Sequence, residues 1–414
     1  MRKVPYSRQE RTVVSFPVPG SSYRGPAPEF AGFRASRPVV RLPAAGGGHC
    51  WVATTRDSVR AVLDDVRFSR AASYEPAAPQ FPGLFQAPPG MIISLDPPAH
   101  TRLRDLVSQA FSVDRIESMR PRIQQLVSDL LDRAGEEAVD GPVDLLGRFT
   151  FPLAIIAISD LLGVPAEDRD TFARLIREFA AVDAPEVAAA AGEQLGEYMA
   201  ALVFGKMHAP GDDVLSALTE VRIGDDRLAV EELIGLGYTL LGAGGDSTAC
   251  HLASSVLTLL GHHHDEWVRL GEHPEEVPAA VEELLRWITL STNDTTGLPR
   301  IALEDVTLFG VTIPRGDAVF VSTNSANRDE TVFADPDALD FARAGNEHVA
   351  FGYGIHRCLG APLARIELTA AFEELTRRFP AARLAVAEEE LEWQKADMNH
   401  RLVALPVDLH GKGF

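Results

Sequence analysis

The sequence predicts a mainly α-helical fold with small β-sheets. Apolar residues recur at helical spacing over most of the chain after residue 101. The segments that alternate in strand fashion are few and short. Neither an internal repeat nor a linker breaks the pattern, so residues 1–414 read as one large domain.

The elements follow in order. Pro and Gly crowd residues 17–47, which read as a meandering start with one or two short strands. Residues 48–54 read as a strand and 56–65 as a short helix. The proline-rich stretch 71–98 is a long loop, of a kind that usually serves function in compact domains. Helical periodicity then covers 101–111, 114–134, 151–163, 166–208, 229–260, 274–289 and 361–379. Val306-Thr307-Leu308 and Val311-Thr312-Ile313 alternate around Phe309-Gly310, which predicts a hairpin.

Composition narrows the function classes. Hydrophobic residues make up 46 % of the chain, enough for a sizeable core. Lys and Arg number 39 against 59 Asp and Glu, and the net charge of −20 argues against nucleic acid as a partner. The three cysteines, Cys50, Cys250 and Cys358, are far apart and odd in number, which points to a reducing cytoplasm rather than a disulfide framework. No stretch approaches the ~20 apolar residues of a membrane span; the most apolar window, 233–260, is broken by Gly, Asp, Ser and His.

The most informative segment is Phe351-Gly352-Tyr353-Gly354-Ile355-His356-Arg357-Cys358-Leu359-Gly360. It places one cysteine in a glycine-rich turn just before the predicted helix 361–379. Glycines let the backbone curl and aim its N–H groups at the sulfur, and the helix N-terminus favours the anion. A soft thiolate so held is the ligand iron uses when an O–O bond must break.

This decapeptide resembles the heme-binding motif of the cytochrome P450 family at each defining position. The resemblance implies the cytochrome P450 fold, with heme b (iron protoporphyrin IX) between the long central helix and the helix after the cysteine. Cys358 is then the axial iron ligand, with Phe351, Gly352, His356 and Gly360 of the loop, and Ala243 and Gly244 of the long helix, beside the cofactor. His100 and Arg104 sit one helical turn apart after Asp96-Pro97-Pro98-Ala99 and offer two cationic donors on one face. They match the family's propionate-binding pair; Arg300 and His356 fall at its other propionate positions.

Two further matches extend the likeness. Glu283 and Arg286 share a helix face and correspond to the family's structural Glu-x-x-Arg pair, to which Arg343 adds a third member. Ala326-Asn327-Arg328-Asp329 and Phe333-Ala334-Asp335-Pro336 recur as in bacterial members.

Leu241-Gly242-Ala243-Gly244-Gly245-Asp246-Ser247-Thr248 puts three glycines inside the long helix, each costing about 1 kcal/mol against Ala. Such a sequence suits a close visitor at the backbone or a helix that opens; a packing groove for another helix, with Asp246 salt-bridged, is the competing reading. The resemblance assigns Asp246 and Ser247 to proton delivery. Ser247 stands where the family usually has threonine, so Thr248 is held in reserve for the hydroxyl role.

By resemblance the substrate pocket is walled by the 71–93 loop, the helical pair 166–208, residues 238–243 and 291–296, and the turn near Asp397. Phe81, Phe85, Met91 and Ile92 supply an apolar lining, and Asn293 and Thr295 supply polar anchors. His262-His263-His264-Asp265 looks like a metal tract but falls in a helix–helix turn with no second ligand cluster.

The implied activity is that of a monooxygenase that activates dioxygen and hydroxylates or epoxidises a small organic substrate of secondary metabolism. Oxidative coupling of a natural product by the same heme is an alternative, and a non-catalytic gas sensor is another. No reductase-like segment accompanies these motifs, so electrons come from a separate ferredoxin or flavodoxin with its reductase. Arg102, Arg104, Arg357 and Arg365 are candidates to dock it.

Overall fold

A computed structural model describes residues 14–81, 84, 87, 89–179, 184–293, 298–395 and 398–412. The helices are α1 Glu29–Ser36, α2 Arg56–Asp64, α3 Ala99–Ala110, α4 Val113–Ser118, α5 Arg120–Glu137, α6 Phe151–Leu162, α7 Arg169–Phe179, α8 Pro185–His208, α9 Val214–Glu220, α10 Val230–Gly244, α11 Asp246–His262, α12 His264–Glu272, α13 Val277–Trp287, α14 Thr323–Ala326 and α15 Ala361–Arg378. The strands are β1 Val39–Pro43, β2 His49–Ala53, β3 Phe68–Ser69, β4 Val143–Asp144, β5 Arg300–Ala302, β6 Val306–Leu308, β7 Val311–Ile313, β8 Ala318–Val321, β9 Arg383–Leu384 and β10 Pro406–Asp408.

The helices build the main core. In α5 the buried residues Ile123, Leu126, Val127, Leu130, Leu131 and Ala134 fall at spacings of three and four, one stripe of a helix. They join α6, α11, α13 and α15 in one large cluster. Helix α6 ends at Gly163, whose φ of 66° is left-handed. A Cβ there would meet Lys206 Nζ and the Asp213 carboxylate, so both the turn and the neighbouring ion pair require glycine.

A five-stranded sheet in the order β1-β2-β8-β5-β3 lies beside this helical body. Its period-two alternation divides two smaller cores. Trp51, Ala53, Val319 and Val321 face α2 with Val59 and Val62, while Cys50, Val52, Ala318 and Phe320 face α1 with Phe30. The predicted hairpin forms, with Val306 opposite Ile313 and Leu308 opposite Val311. Phe309 and Gly310 both take positive φ, 48° and 78°, the backbone of a tight two-residue turn.

Several boundaries differ from expectation. Helix α1 lies inside the stretch read as a meander, hidden by flanking prolines. Residues 114–134 split at Met119 into α4 and α5. Helices α9, α12 and α14 were not legible by periodicity. The helix expected over 229–260 is two helices, α10 and α11, meeting at Gly245. Among the described residues no helix is long and apolar enough to cross a membrane.

Candidate active site

The cysteine loop is held by its own backbone. Cys358 N–H donates to Phe351 O at 2.9 Å, and Gly352 N–H donates to Val349 O at 2.9 Å. Gly352 and Gly354 both have left-handed φ. A Cβ on Gly354 would sit 2.7 Å from Leu63 O, so this glycine also lets the loop rest on the end of α2. Cys358 is exposed, yet burial of its sulfur among packed atoms pushes the thiol above its ordinary value. The N–H groups of Gly360 and Ala361 at the start of α15, with Arg104 and Arg357, pull the other way. The loop geometry expected from the glycines is therefore present.

Around the loop lies a set of buried and half-buried histidines and arginines. His100, 2 % exposed on α3, sets its ring centroid 4.3 Å from that of His356, the two planes tilted by 54°. Its Nδ1 has no hydrogen-bond partner. Arg300, 2 % exposed at the head of β5, leaves both Nη1 and Nη2 without one. Arg70 follows β3 and is also buried; its Nη1 donates to Ile93 O, and its Nε is unmatched. Arg104 Nη2 donates to Arg357 O at 2.8 Å.

These groups feel one another. Burial, then the charges of Arg70, His100, Arg300 and Arg104, push His356 down to about 2. Burial and Arg70 hold Arg300 well below its ordinary value, and burial brings Arg70 down to about 10. The nearest carboxylate, Asp96, is engaged by Ser69 and by the backbone N–H groups of Arg70 and Ala71. Buried donors left unmatched are expensive, more so when charged. This cluster therefore fits an anionic occupant with two carboxylates, which heme provides through its propionates. Arg70 is a member that no sequence motif announced.

At the α10–α11 junction the glycines divide their roles. A Cβ on Gly244 would meet Ile158, and one on Gly245 would meet Ile155, so the absence of side chains at these two lets α6 approach. The packing-groove reading holds for them. Gly242 and Ala243 remain exposed. Ser247 Oγ donates to Ala243 O at 2.8 Å, a back-bond that accompanies bends in helices. Thr248 is buried, a helical step away from Ser247.

Asp246 is also buried, and both of its oxygens are occupied. Asn399 Nδ2 donates to Oδ2 at 2.9 Å, and Arg401 Nη1 donates to Oδ1 at 3.2 Å. Neither partner was foreseen, since they lie far along the chain in a segment without periodicity.

Other expectations sort as follows. Glu283 and Arg286 form the buried pair, at 2.6 and 2.7 Å, and Arg343 Nε reaches Glu283 at 3.0 Å. Phe81 packs edge-on against Phe16 and Phe320 in the core beneath the sheet, so it is no pocket wall. Met91 and Ile92 line a cavity of about 150 Å³ with Leu103, Gly235 and Leu236. Asn293 is half-buried; Phe85, Thr295 and Asp397 lie outside the described residues. His262 pairs with Glu388 and His264 Nε2 bonds to Ala382 O, so the histidine tract diverges. Among the described residues no cluster suits a metal ion. The docking arginines are mostly engaged: Arg102 by Asp226 and Glu232, Arg365 by Glu282. Arg357 stays exposed.

Comparison with known proteins agrees with this geometry. The Cytochrome P450 family profile matches residues 275–398. The chain is 44 % identical to nocardicin C N-oxygenase of Nocardia uniformis subsp. tsuyamanensis, over 92 % of this chain and 94 % of that protein. It is 40 % identical to mycinamicin IV hydroxylase/epoxidase of Micromonospora griseorubida, over 92 % and 95 %. The crystal structure of the LnmA cytochrome P450 hydroxylase of the leinamycin pathway of Streptomyces atroolivaceus superposes with a TM-score of 0.87 at 40 % identity, covering 94 % of this chain and 97 % of that one. With a likeness of this extent, and a cysteine loop and cation cluster suited to heme, the chain belongs to the cytochrome P450 family.

Proposed function

We propose that this heme-thiolate monooxygenase binds heme b through Cys358 and hydroxylates or epoxidises a small organic secondary metabolite. The observation that carries the reading is the cysteine turn beside a buried cation cluster that the protein itself leaves unneutralised. Relatives named for oxidising nocardicin C and mycinamicin IV support the substrate class.

His100, Arg104, Arg300 and His356, joined by Arg70, would hold the propionates. When bound, heme supplies reductive activation of dioxygen and removal of hydrogen from the substrate. The chain's own residues do the rest. Gly360 and Ala361 offer N–H groups to the sulfur, which limits the charge it donates. Gly242 and Ala243 expose helix surface on which a small molecule can lie. Ser247 holds its hydroxyl proton against Ala243 O, and rotation about one side-chain bond frees it for transfer. Asp246, kept in place by Asn399 and Arg401, is the adjoining acid. Thr248 is buried and takes the reserve position only if α11 rotates. Electron supply falls to a separate ferredoxin or flavodoxin with its reductase, in a cytoplasmic setting.

The test is the visible spectrum of the dithionite-reduced, CO-bound protein. A strongly red-shifted Soret band, lost in Cys358→Ala, is the expected result. An unshifted band that is independent of Cys358 overturns the assignment. With the band in hand, product mass separates oxygen insertion, which adds one oxygen, from oxidative coupling, which removes two hydrogens.

A further inference from the structure

Two adjacent carboxylates on α13 do different work. Glu283 faces the interior, where Arg286, Arg343, Asn346 Nδ2 and the Asp340 N–H use its oxygens. Glu282, a helical step away, turns toward the cysteine loop. It accepts from Arg365 Nε at 2.5 Å and Arg365 Nη2 at 2.9 Å, a bidentate fork. It also meets His348 Nε2 at 3.1 Å.

The histidine is fixed in this contact. Its side chain is 3 % exposed, and its Nδ1 accepts the Ala350 N–H at 3.2 Å. An accepting Nδ1 leaves the ring proton on Nε2, pointing at Glu282. Burial alone pushes the Glu282 carboxyl up, but the hydrogen bonds of Arg365 and His348 and the charge of Arg365 outweigh it and hold the group down at about 2.

His348 precedes Cys358 in the chain and Arg365 follows it on α15, so one carboxylate grips both flanks of the ligand loop. A third contact joins the grip to the loop itself. The Arg365 guanidinium lies 4.7 Å from the centroid of the Phe351 ring, and the Phe351 carbonyl accepts the Cys358 N–H at 2.9 Å. An isolated ion pair with both side chains 32 % exposed contributes only about 0–1 kcal/mol. The buried histidine and the stacked Phe351 set this one apart.

We propose that Glu282 is a positioning residue for the Cys358 sulfur, acting through Arg365, His348 and Phe351. By clamping both flanks of the loop it fixes where the sulfur sits relative to the N–H groups of Gly360 and Ala361, and so how firmly the iron is held. This rests on the reading of Cys358 as the iron ligand.

The experiment compares wild-type holoenzyme with Glu282→Gln, Arg365→Lys, His348→Leu and His348→Gln. Three readouts are taken: the Soret position of the reduced CO complex, the reduction potential of the iron, and the rate of heme transfer to excess heme-free myoglobin. Thermal midpoints monitor the fold. Supporting residues around a metal ligand commonly alter metal affinity by about 10- to 100-fold. Glu282→Gln is therefore expected to lose heme at least about 10-fold faster, with a shifted potential and partial conversion to the unshifted band. Arg365→Lys keeps the charge but loses the fork and the stacking, and should reproduce these changes. His348→Leu should reproduce them in part, and His348→Gln, which keeps an N–H donor, should restore wild-type behaviour.

If Glu282→Gln fails to fold, Arg365→Lys decides. Variants with lowered thermal midpoints but wild-type band, potential and heme retention overturn the proposal, since Glu282 would then serve stability alone. A wild type that lacks the red-shifted band overturns the ligand assignment and this inference together. That failure is distinct from unaltered variants of a wild type that shows the band.

Discussion

Two of the places where this molecule buries arginine do so in opposite ways. Arg286, with a side chain 0 % exposed, donates to both Glu283 oxygens and to the carbonyls of Asn327, Pro336 and Ala338. Arg328 beside it reaches the carbonyls of Arg24, Trp287 and Pro336 and the Asp337 carboxylate, leaving only its Nε unmatched. Here the chain supplies its own acceptors. Around His100 and His356, by contrast, Arg300 and Arg70 are equally buried but leave donors unmatched, and the local carboxylate is already engaged. The difference separates a structural charge from a binding charge. A guanidinium surrounded by acceptors holds the fold, whereas one buried with donors unmatched suits the propionate-binding role proposed for Arg300.

Breaking the satisfied region should cost most. Glu283→Ala strands Arg286 and Arg343 in the interior, and loss of one partner of a buried pair costs about 3–5 kcal/mol. Chemical denaturation should show that loss with or without heme; a change below 1 kcal/mol would mean that the pair is solvated.

The unsatisfied region should respond with the opposite sign in the two states. Arg300→Met removes a buried donor without a partner, so the heme-free protein should gain about 1–3 kcal/mol. The heme-bound form should lose a charge-assisted bond, weakening heme binding by roughly 10- to 100-fold. Destabilisation of the heme-free form would contradict the reading of this cluster as an anion seat.

A pH-dependent effect, small near pH 5, concerns Glu367 on α15, a fully buried carboxyl whose Oε2 has no partner. Burial raises its pKa well above the ordinary 4.5. Its folded state therefore keeps a proton that the unfolded chain releases, and stability falls as pH rises above about 4.5, by at most ~1.4 kcal/mol per pH unit for one group. Glu367→Gln should match wild type at pH 4 and exceed it increasingly from pH 5 upward. A difference that does not change with pH would show that the carboxyl is ionised in the folded protein.

The contrast also explains what the sequence could tell. Cys358, its glycines and His356 lie in one unbroken decapeptide, and Glu283 with Arg286 lies within one helical turn, so local spacing carries the chemistry. Arg343 was legible only through family likeness. Arg70, Asn399 and Arg401 were not legible, because each acts on a partner from a distant element and stands in a segment without periodicity. The Gly244-Gly245 pair was visible as a helix weakness, but its cause, the approach of Ile155 and Ile158 from α6, is tertiary. The histidine tract hid α12 because polar residues at a helix junction resemble a loop. Strand alternation, in contrast, gave the hairpin directly.

The tether on Asp246 also has a consequence in time. A ribosome adds about 5–20 residues per second, so the 153 residues between Asp246 and Asn399 take roughly 8–30 s to emerge. Val143 must likewise wait for Val407 before β4 can pair with β10. During synthesis the helical core can therefore close around an acid that has neither of its donors. The Asp246 end of the site is among the last parts to be completed, after the cysteine loop has already left the ribosome.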